Sequence, residues 1–173
     1  MIRVRPARAE DGPDLQRIER LAGERFRTIG MERIADDEPP PVKTLAGYAA
    51  DGRSWVAVDD AGDAVGYVLV EEVDGDAHVE QISVLPDQQR RGIGRALLDR
   101  VEQWAAGRGH DPISLTTFSE VPWNRPLYEH LGFEVLAEDQ IGPGLRAVRD
   151  SEAAHGLDPS TRVCMRRSIT DCR

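Results

Sequence analysis

Lysine is almost absent from this 173-residue chain: Lys43 stands alone, and the other 21 of its 22 bases are arginine. That skew is a composition bias and carries no chemistry. Basic charge as a whole is in deficit, with 22 Lys+Arg against 31 Asp+Glu and a formal net charge of -9. Binding of nucleic acid by bulk charge is therefore not expected, because phosphate contacts need a basic face. Cysteine is scarce as well. Cys164 and Cys172 lie near the C-terminus without CxxC spacing or a histidine pair, so no metal site is expected, and two free thiols fit a reducing compartment. No apolar run approaches the ~20 residues that span a bilayer, which removes a transmembrane helix and a membrane partner. Met1 to Pro6 lacks the apolar stretch and small-residue cleavage site of a secretory signal, so the cytoplasm is the expected compartment.

What is present is an ordinary globular composition, 40% hydrophobic and 31% charged, long enough for a single domain over residues 1–173 without staples. The acidity is concentrated. Asp51 to Asp87 holds ten acids and one base, Arg53, which accounts for the whole net charge. Two readings remain open for this stretch: Asp collected by tight turns, or a field that attracts a cationic ligand.

Strand-like and helix-like pieces alternate. Ile2–Arg5 reads as a strand, and Asp11 as the cap of a helix with Pro13 in its first turn and an apolar stripe Leu15, Ile18, Leu21, Ala22. Thr28–Pro41 reads as an acidic, proline-stiffened loop, and Val42–Ala50 as a short helix. Trp55–Val58, Val65–Val73 and Ala77–Leu85 are strands, with Asp74-Gly75 a strong hairpin turn. Gly94–Ala106 has helical spacing, Ile113–Phe118 is a strand, and Trp123–Leu131 fits a short helix. Phe133–Ala137, a helix over Leu145–Ala154 and a strand around Val163–Met165 complete the chain. Hairpins followed by crossovers predict a mixed α/β (α+β) fold, a mostly antiparallel sheet of six to seven strands with helices on both faces.

Gln89-Arg90-Arg91-Gly92-Ile93-Gly94-Arg95-Ala96 stands where a strand gives way to a helix. Glycines let the backbone approach a ligand, and first-turn N–H groups point at it with the positive end of the helix dipole. Arg90, Arg91 and Arg95 add donors. The segment reads as an anion cradle, with a structural turn as the alternative; Leu97 replaces the third glycine of a dinucleotide fingerprint, and the Gly-Lys-Ser/Thr of a P-loop is missing.

Here the sequence resembles the GNAT superfamily of acyl-CoA-dependent N-acyltransferases. Its Gln/Arg-x-x-Gly-x-Gly/Ala signature is matched by Gln89, Gly92 and Gly94. Ile82-Ser83-Val84-Leu85-Pro86 is similar to the strand before that loop, and Leu127-Tyr128-Glu129-His130-Leu131-Gly132-Phe133 to the family's Leu-Tyr-x-x-x-Gly-Phe element. The resemblance implies the GNAT fold, acetyl-CoA as cosubstrate, no metal, and a homodimer as a common assembly. Amides from Gln89 to Ala96, Ile93 among them, would hold the pyrophosphate of coenzyme A. Main-chain groups of Ile82, Ser83 and Val84 would pair with the pantetheine arm, with an amide near Val84 facing the acyl oxyanion. Tyr128 would protonate the departing thiolate, and its alternative is an amphipathic tyrosine closing a helix on the core. Asn124 is a candidate for one more contact, four residues before the tyrosine where the family often has seven.

An amine acceptor is mostly ammonium at neutral pH and must lose a proton before it attacks a thioester. Strand alternation places His78 and Glu80 on one face with Ile82 and Val84. Branches of the superfamily carry a general base at one or other position. Glu80 is the first choice, since a carboxylate also attracts the cation. His78 is a relay candidate, and Glu120 a third option; a solvated strand face is the alternative for each. The sequence thus predicts direct acetyl transfer to the primary amine of a small cationic metabolite or antibiotic-like amine. A peptide or protein N-terminus, or a non-catalytic acyl-CoA-binding module, are the other readings.

Overall fold

The structure is a computed structural model that describes residues 1–169. Its strands are β1 (Arg3–Pro6), β2 (Ser54–Val58), β3 (Ala64–Val73), β4 (Asp76–Val84), β5 (Ile113–Phe118), β6 (Glu134–Val135) and β7 (Arg162–Arg167). Its helices are α1 (Gly12–Gly23), α2 (Glu32–Ala35), α3 (Val42–Ala50), α4 (Ile93–Gly107), α5 (Arg125–His130) and α6 (Pro143–Ala154). The seven strands run in the order β1-β2-β3-β4-β5-β7-β6, with β4 and β5 parallel and the flanking pairs β1–β2, β2–β3, β5–β7 and β6–β7 antiparallel. This is the mixed, mostly antiparallel sheet with helices that the alternating pattern predicts.

The chain divides into two compact units, Met1–Val70 with Gln81–Arg100, and Glu71–Glu80 with Val101–Arg173. In the first, Leu15 and Ile18 of α1 and Leu45 of α3 pack with Val56, Val58, Tyr67 and Leu69. A glycine suits the third position of β3. A Cβ on Gly66 would lie 3.1 Å from both Ile93 Cγ2 and the Ser83 carbonyl oxygen, so its absence lets the start of α4 lie close on the strand. Asp11 precedes α1 as predicted, but its carboxylate does not cap that helix. It accepts a two-pronged bond from Arg5, 2.8 Å at each oxygen, and the Arg8 N–H at 2.6 Å, because a buried carboxylate gains more from a guanidinium fork.

In the second unit, Ile141, Leu145 and Cys164 form a small core with Val73 and Leu136. The β3–β4 turn has positive φ at both Asp74 (54°) and Gly75 (79°), the conformation that the Asp-Gly pair predicts. The Asp74 carboxylate accepts the N–H groups of Gly144 (2.7 Å) and Leu145 (2.9 Å) in the first turn of α6. Cys172 lies outside the described residues. The expected loop over Thr28–Pro41 is corrected: a 3₁₀ turn runs through Ile29, Gly30 closes it with φ 74°, and α2 follows. Phe133–Ala137 shrinks to the two residues of β6.

Candidate active site

The glycine-rich segment lies wholly in the first unit. Its backbone departs from right-handed geometry twice, at Arg90 (φ 63°) and Gly92 (φ 77°), and the second needs glycine. The chain then enters α4. Among the described residues the N–H groups of Gly92, Ile93, Gly94 and Arg95 have no backbone acceptor, while the Ala96 N–H is taken by the Gly92 carbonyl at 3.0 Å. A Cβ on Gly94 would meet nothing within 4 Å. Free amides, open space above them and the exposed Arg90, Arg91 and Arg95 form a donor set that fits a pyrophosphate. Gln89 acts on the protein instead: it accepts from Arg25 Nη1 at 2.8 Å, and its amide approaches the Val84 carbonyl at 3.5 Å. Burial and the charge of Arg90 lower the Arg25 guanidinium below its ordinary value. Gln88 accepts from Arg91 at 2.5 Å.

Strand β4 offers a second feature. Its pairing with β5 runs from Ala77–Ile113 to Val79–Leu115 and ends there, although β4 continues through Ile82, Ser83 and Val84. Ser83 is buried and accepts from Gln81 Nε2 at 2.9 Å; Ile82 and Val84 are half-buried.

The proton-handling candidates lie in the second unit, and they differ sharply. His78 is 1% exposed, its Nδ1 is 3.0 Å from Ser114 Oγ, and burial lowers its pKa to about 4. Its imidazole is neutral at pH 7 and sits in the core. Glu80, two residues on, is exposed and makes no ion pair or hydrogen bond among the described residues. Its pKa is nonetheless raised, first by the protein packed around it and then by the charges of Glu71 and Glu152, with Arg162 opposing. Solvent reaches it while protein surrounds it, the condition of a carboxylate on a recessed surface. Tyr128 on α5 is similar: half-buried, edge-on to Phe133 at 5.9 Å, its hydroxyl without a protein partner among the described residues. Burial pushes it up to about 12, and Arg162 again opposes. Asn124 stands at the N-cap of α5, where its carbonyl accepts the Tyr128 N–H at 3.1 Å. Glu120 is exposed.

Five of the ten acids in the acidic stretch are engaged in turns, a helix start or ion pairs. Asp59 accepts the N–H groups of Ala61 and Asp63, Asp74 holds α6, and Asp51, Glu72 and Asp76 pair with Arg53, Arg108 and Arg166.

The sequence model of the Acetyltransferase (GNAT) family matches residues 15–133. The chain belongs to the GNAT acetyltransferase family. The family's cosubstrate, acetyl-CoA, comes with that membership, and the amides at the start of α4 suit it. Two curated relatives are mycothiol acetyltransferases. One, from Geodermatophilus obscurus, is 37% identical over 56% of this chain and 31% of its own length. Another, from Clavibacter michiganensis subsp. michiganensis, is 34% identical over 78% of this chain and 42% of its own. The chain thus spans less than half the length of these relatives. Solved GNAT structures share the fold. An acetyltransferase from Staphylococcus aureus superposes with a TM-score of 0.75 at 15% identity, covering 98% of this chain and 100% of that one. The PaiA N-acetyltransferase of Thermoplasma acidophilum, solved with coenzyme A, gives 0.72 at 16% identity over 97% and 99%.

Sequence reasoning missed one group in this GNAT chain: Arg162, with its partners Glu152 and Thr116. They stand on three different elements, and no local spacing links them. The hint was an arginine just before the apolar run Val163–Met165.

Proposed function

We propose that this GNAT chain transfers the acetyl group of acetyl-CoA directly to the primary amine of a small cationic metabolite. The observation that carries the reading is that Glu80 and Tyr128, two groups suited to proton work, have protein packed around them yet no hydrogen-bond partner among the described residues. Polar groups that protein surrounds but leaves open to solvent are free to engage a ligand.

The roles divide by chemistry. The N–H groups of Gly92 to Arg95 would hold the pyrophosphate, with Arg90, Arg91 and Arg95 adding charge. The stretch of β4 beyond its pairing with β5, Ile82 to Val84, would hold the pantetheine arm through backbone hydrogen bonds, with an amide near Val84 on the acyl oxygen. Glu80 takes the proton that the ammonium must lose, and its charge draws the cation. The amine nitrogen then forms its bond to the acyl carbon as the bond to sulfur breaks, and the second proton that nitrogen sheds replaces the one Tyr128 gives to sulfur. Tyr128 protonated at neutral pH returns a proton to that sulfur. Transfer is direct in this reading: the cysteine among the described residues, Cys164, is buried against Ile141 and Leu145, away from any acyl group. His78, neutral and bonded to Ser114, supports the strand face and does not act as the base.

Turnover tests the reading. Thiol release from acetyl-CoA is measured with monoamines, polyamines, aminoglycoside-like amines, a mycothiol-related acceptor suggested by the curated relatives, and peptides with free N-termini. Turnover with cationic small amines supports it. Turnover with peptides alone moves the assignment to an N-terminal acetyltransferase, and tight cofactor binding without any turnover makes the chain a binding module.

A further inference from the structure

Helix α6 and strand β7 carry a charged group that none of these roles uses. Arg162 Nη2 donates to Glu152 Oε2 at 2.7 Å and to Thr116 Oγ1 at 3.1 Å, and the Thr116 hydroxyl donates to the same carboxylate oxygen at 2.9 Å. The guanidinium also lies 4.5 Å from the centroid of the Phe118 ring, its partner in the β5–β7 register. The Arg162 and Glu152 side chains are only 12% and 17% exposed. Among the described residues, Glu152 Oε1 and Arg162 Nε have no hydrogen-bond partner. A buried pair with two orphaned atoms gains little stability over an apolar replacement, so stability alone does not account for it.

Strand parity puts this group beside the proton chemistry. The His78–Ser114 bond fixes the face that β4 and β5 share. Two residues on, the same face carries Glu80 on β4 and Thr116 on β5. Thr116 and Phe118 stand opposite Cys164 and Arg162 on β7. Glu80, Thr116 and Arg162 therefore occupy one face of three strands, and α6 brings Glu152 onto it. Glu80 feels negative charge from Glu71 on β3 and from Glu152 on α6, and positive charge from Arg162, while His78 beside it is neutral. For Tyr128 on α5, Arg162 is the charge that opposes burial. That opposition matters, because a phenol pushed up to about 12 is a reluctant proton donor.

We propose that Arg162 is a positioning residue of this site: clamped by Glu152 and Thr116, it presents one fixed positive charge to both Glu80 and Tyr128. It opposes the acids that favour the protonated form of Glu80 and eases release of the acid's proton. The proposal rests on the roles given to those two residues, and the test separates the two ideas. Glu80 is titrated by carboxyl carbon NMR in the wild type and in Arg162→Met, Arg162→Lys and Glu152→Gln, alongside the pH profile of kcat/KM. Arg162→Met should raise the Glu80 titration and the acid limb of the profile by about one pH unit or more. Glu152→Gln should move both downward, and Arg162→Lys should stay near the wild type. A structural role alone would not give shifts of opposite sign. If Arg162→Met fails to fold, the other two variants carry the test. A Glu80 titration unmoved by Glu152→Gln, or moved the same way by removing either charge, overturns the proposal whatever the rates do. Wild-type turnover in Glu80→Gln overturns the general-base reading instead.

Discussion

Replacing Gly94 with alanine should make the protein more stable and a worse enzyme. Gly94 lies in the first turn of α4, and a Cβ there would meet no atom within 4 Å, so the methyl group costs nothing sterically. Alanine in a helix is favoured over glycine by about 0.5–1 kcal/mol, from the lower entropy of its unfolded chain. In a domain of this size that raises Tm by roughly 1–4 °C. The same methyl fills the space over the free amides. A hydrogen bond from an amide to a charged phosphate is worth about 1.5–3 kcal/mol, so losing one weakens acetyl-CoA binding roughly 10- to 150-fold. Gly92→Ala is the control of opposite sign. Its φ of 77° disfavours any side chain by about 1–2 kcal/mol, so that variant should melt lower than the wild type. Thermal unfolding by circular dichroism and titration calorimetry with coenzyme A read both quantities. Wild-type affinity in a folded Gly94→Ala protein would refute the cradle. A lower Tm would refute the open space above it.

Other predictions follow from the second unit. Tyr128→Phe keeps the edge-on contact with Phe133 and should lower kcat about 10²-fold or more while acetyl-CoA affinity stays unchanged, read by steady-state kinetics and calorimetry. Because the Glu80 carboxyl is raised above its ordinary 4.5, kcat/KM should rise with pH through a limb above that value, and Glu80→Gln should remove the limb. The Glu80→Gln defect should shrink with a low-pKa amine, which is already neutral and needs no base; an equal defect with both amines would point away from proton removal. Asp74→Ala removes the acceptor of two α6 amides and should cost about 1 kcal/mol, a fall of roughly 2–4 °C in Tm.

Local signals located the elements they govern. Val42–Ala50 and Ile113–Phe118 have the predicted bounds, and α4 extends the predicted Gly94–Ala106 by one residue at each end. The Asp-Gly turn was legible because both its residues must adopt positive φ. Residues 28–41 were not, since a four-residue helix and a 3₁₀ turn are too short to leave a periodic stripe. In the site, alternation correctly put His78 and Glu80 on one side of β4 but could not tell them apart. What separates them is Ser114, thirty-six residues away, which engages the histidine in the core and leaves the carboxylate free. Arg162 was invisible for the same reason. Its partners lie 10 and 46 residues distant; the register of β5 with β7 brings Thr116 near it, and α6 brings Glu152.

The tip of a β-hairpin is ordinarily where a chain accepts extra residues, a new terminus or a protease cut with little harm. The Asp74-Gly75 tip is an exception. Its carboxylate holds the first turn of a helix about seventy residues later, and a Cβ on Gly142 or Gly144 would collide with it at 2.6 or 2.7 Å. An insertion or a circular-permutation break placed there would therefore loosen α6 along with the turn. Because α6 carries Glu152, a library that scanned insertions along the chain would find the silent sites elsewhere, and would find this short turn as intolerant as a core strand.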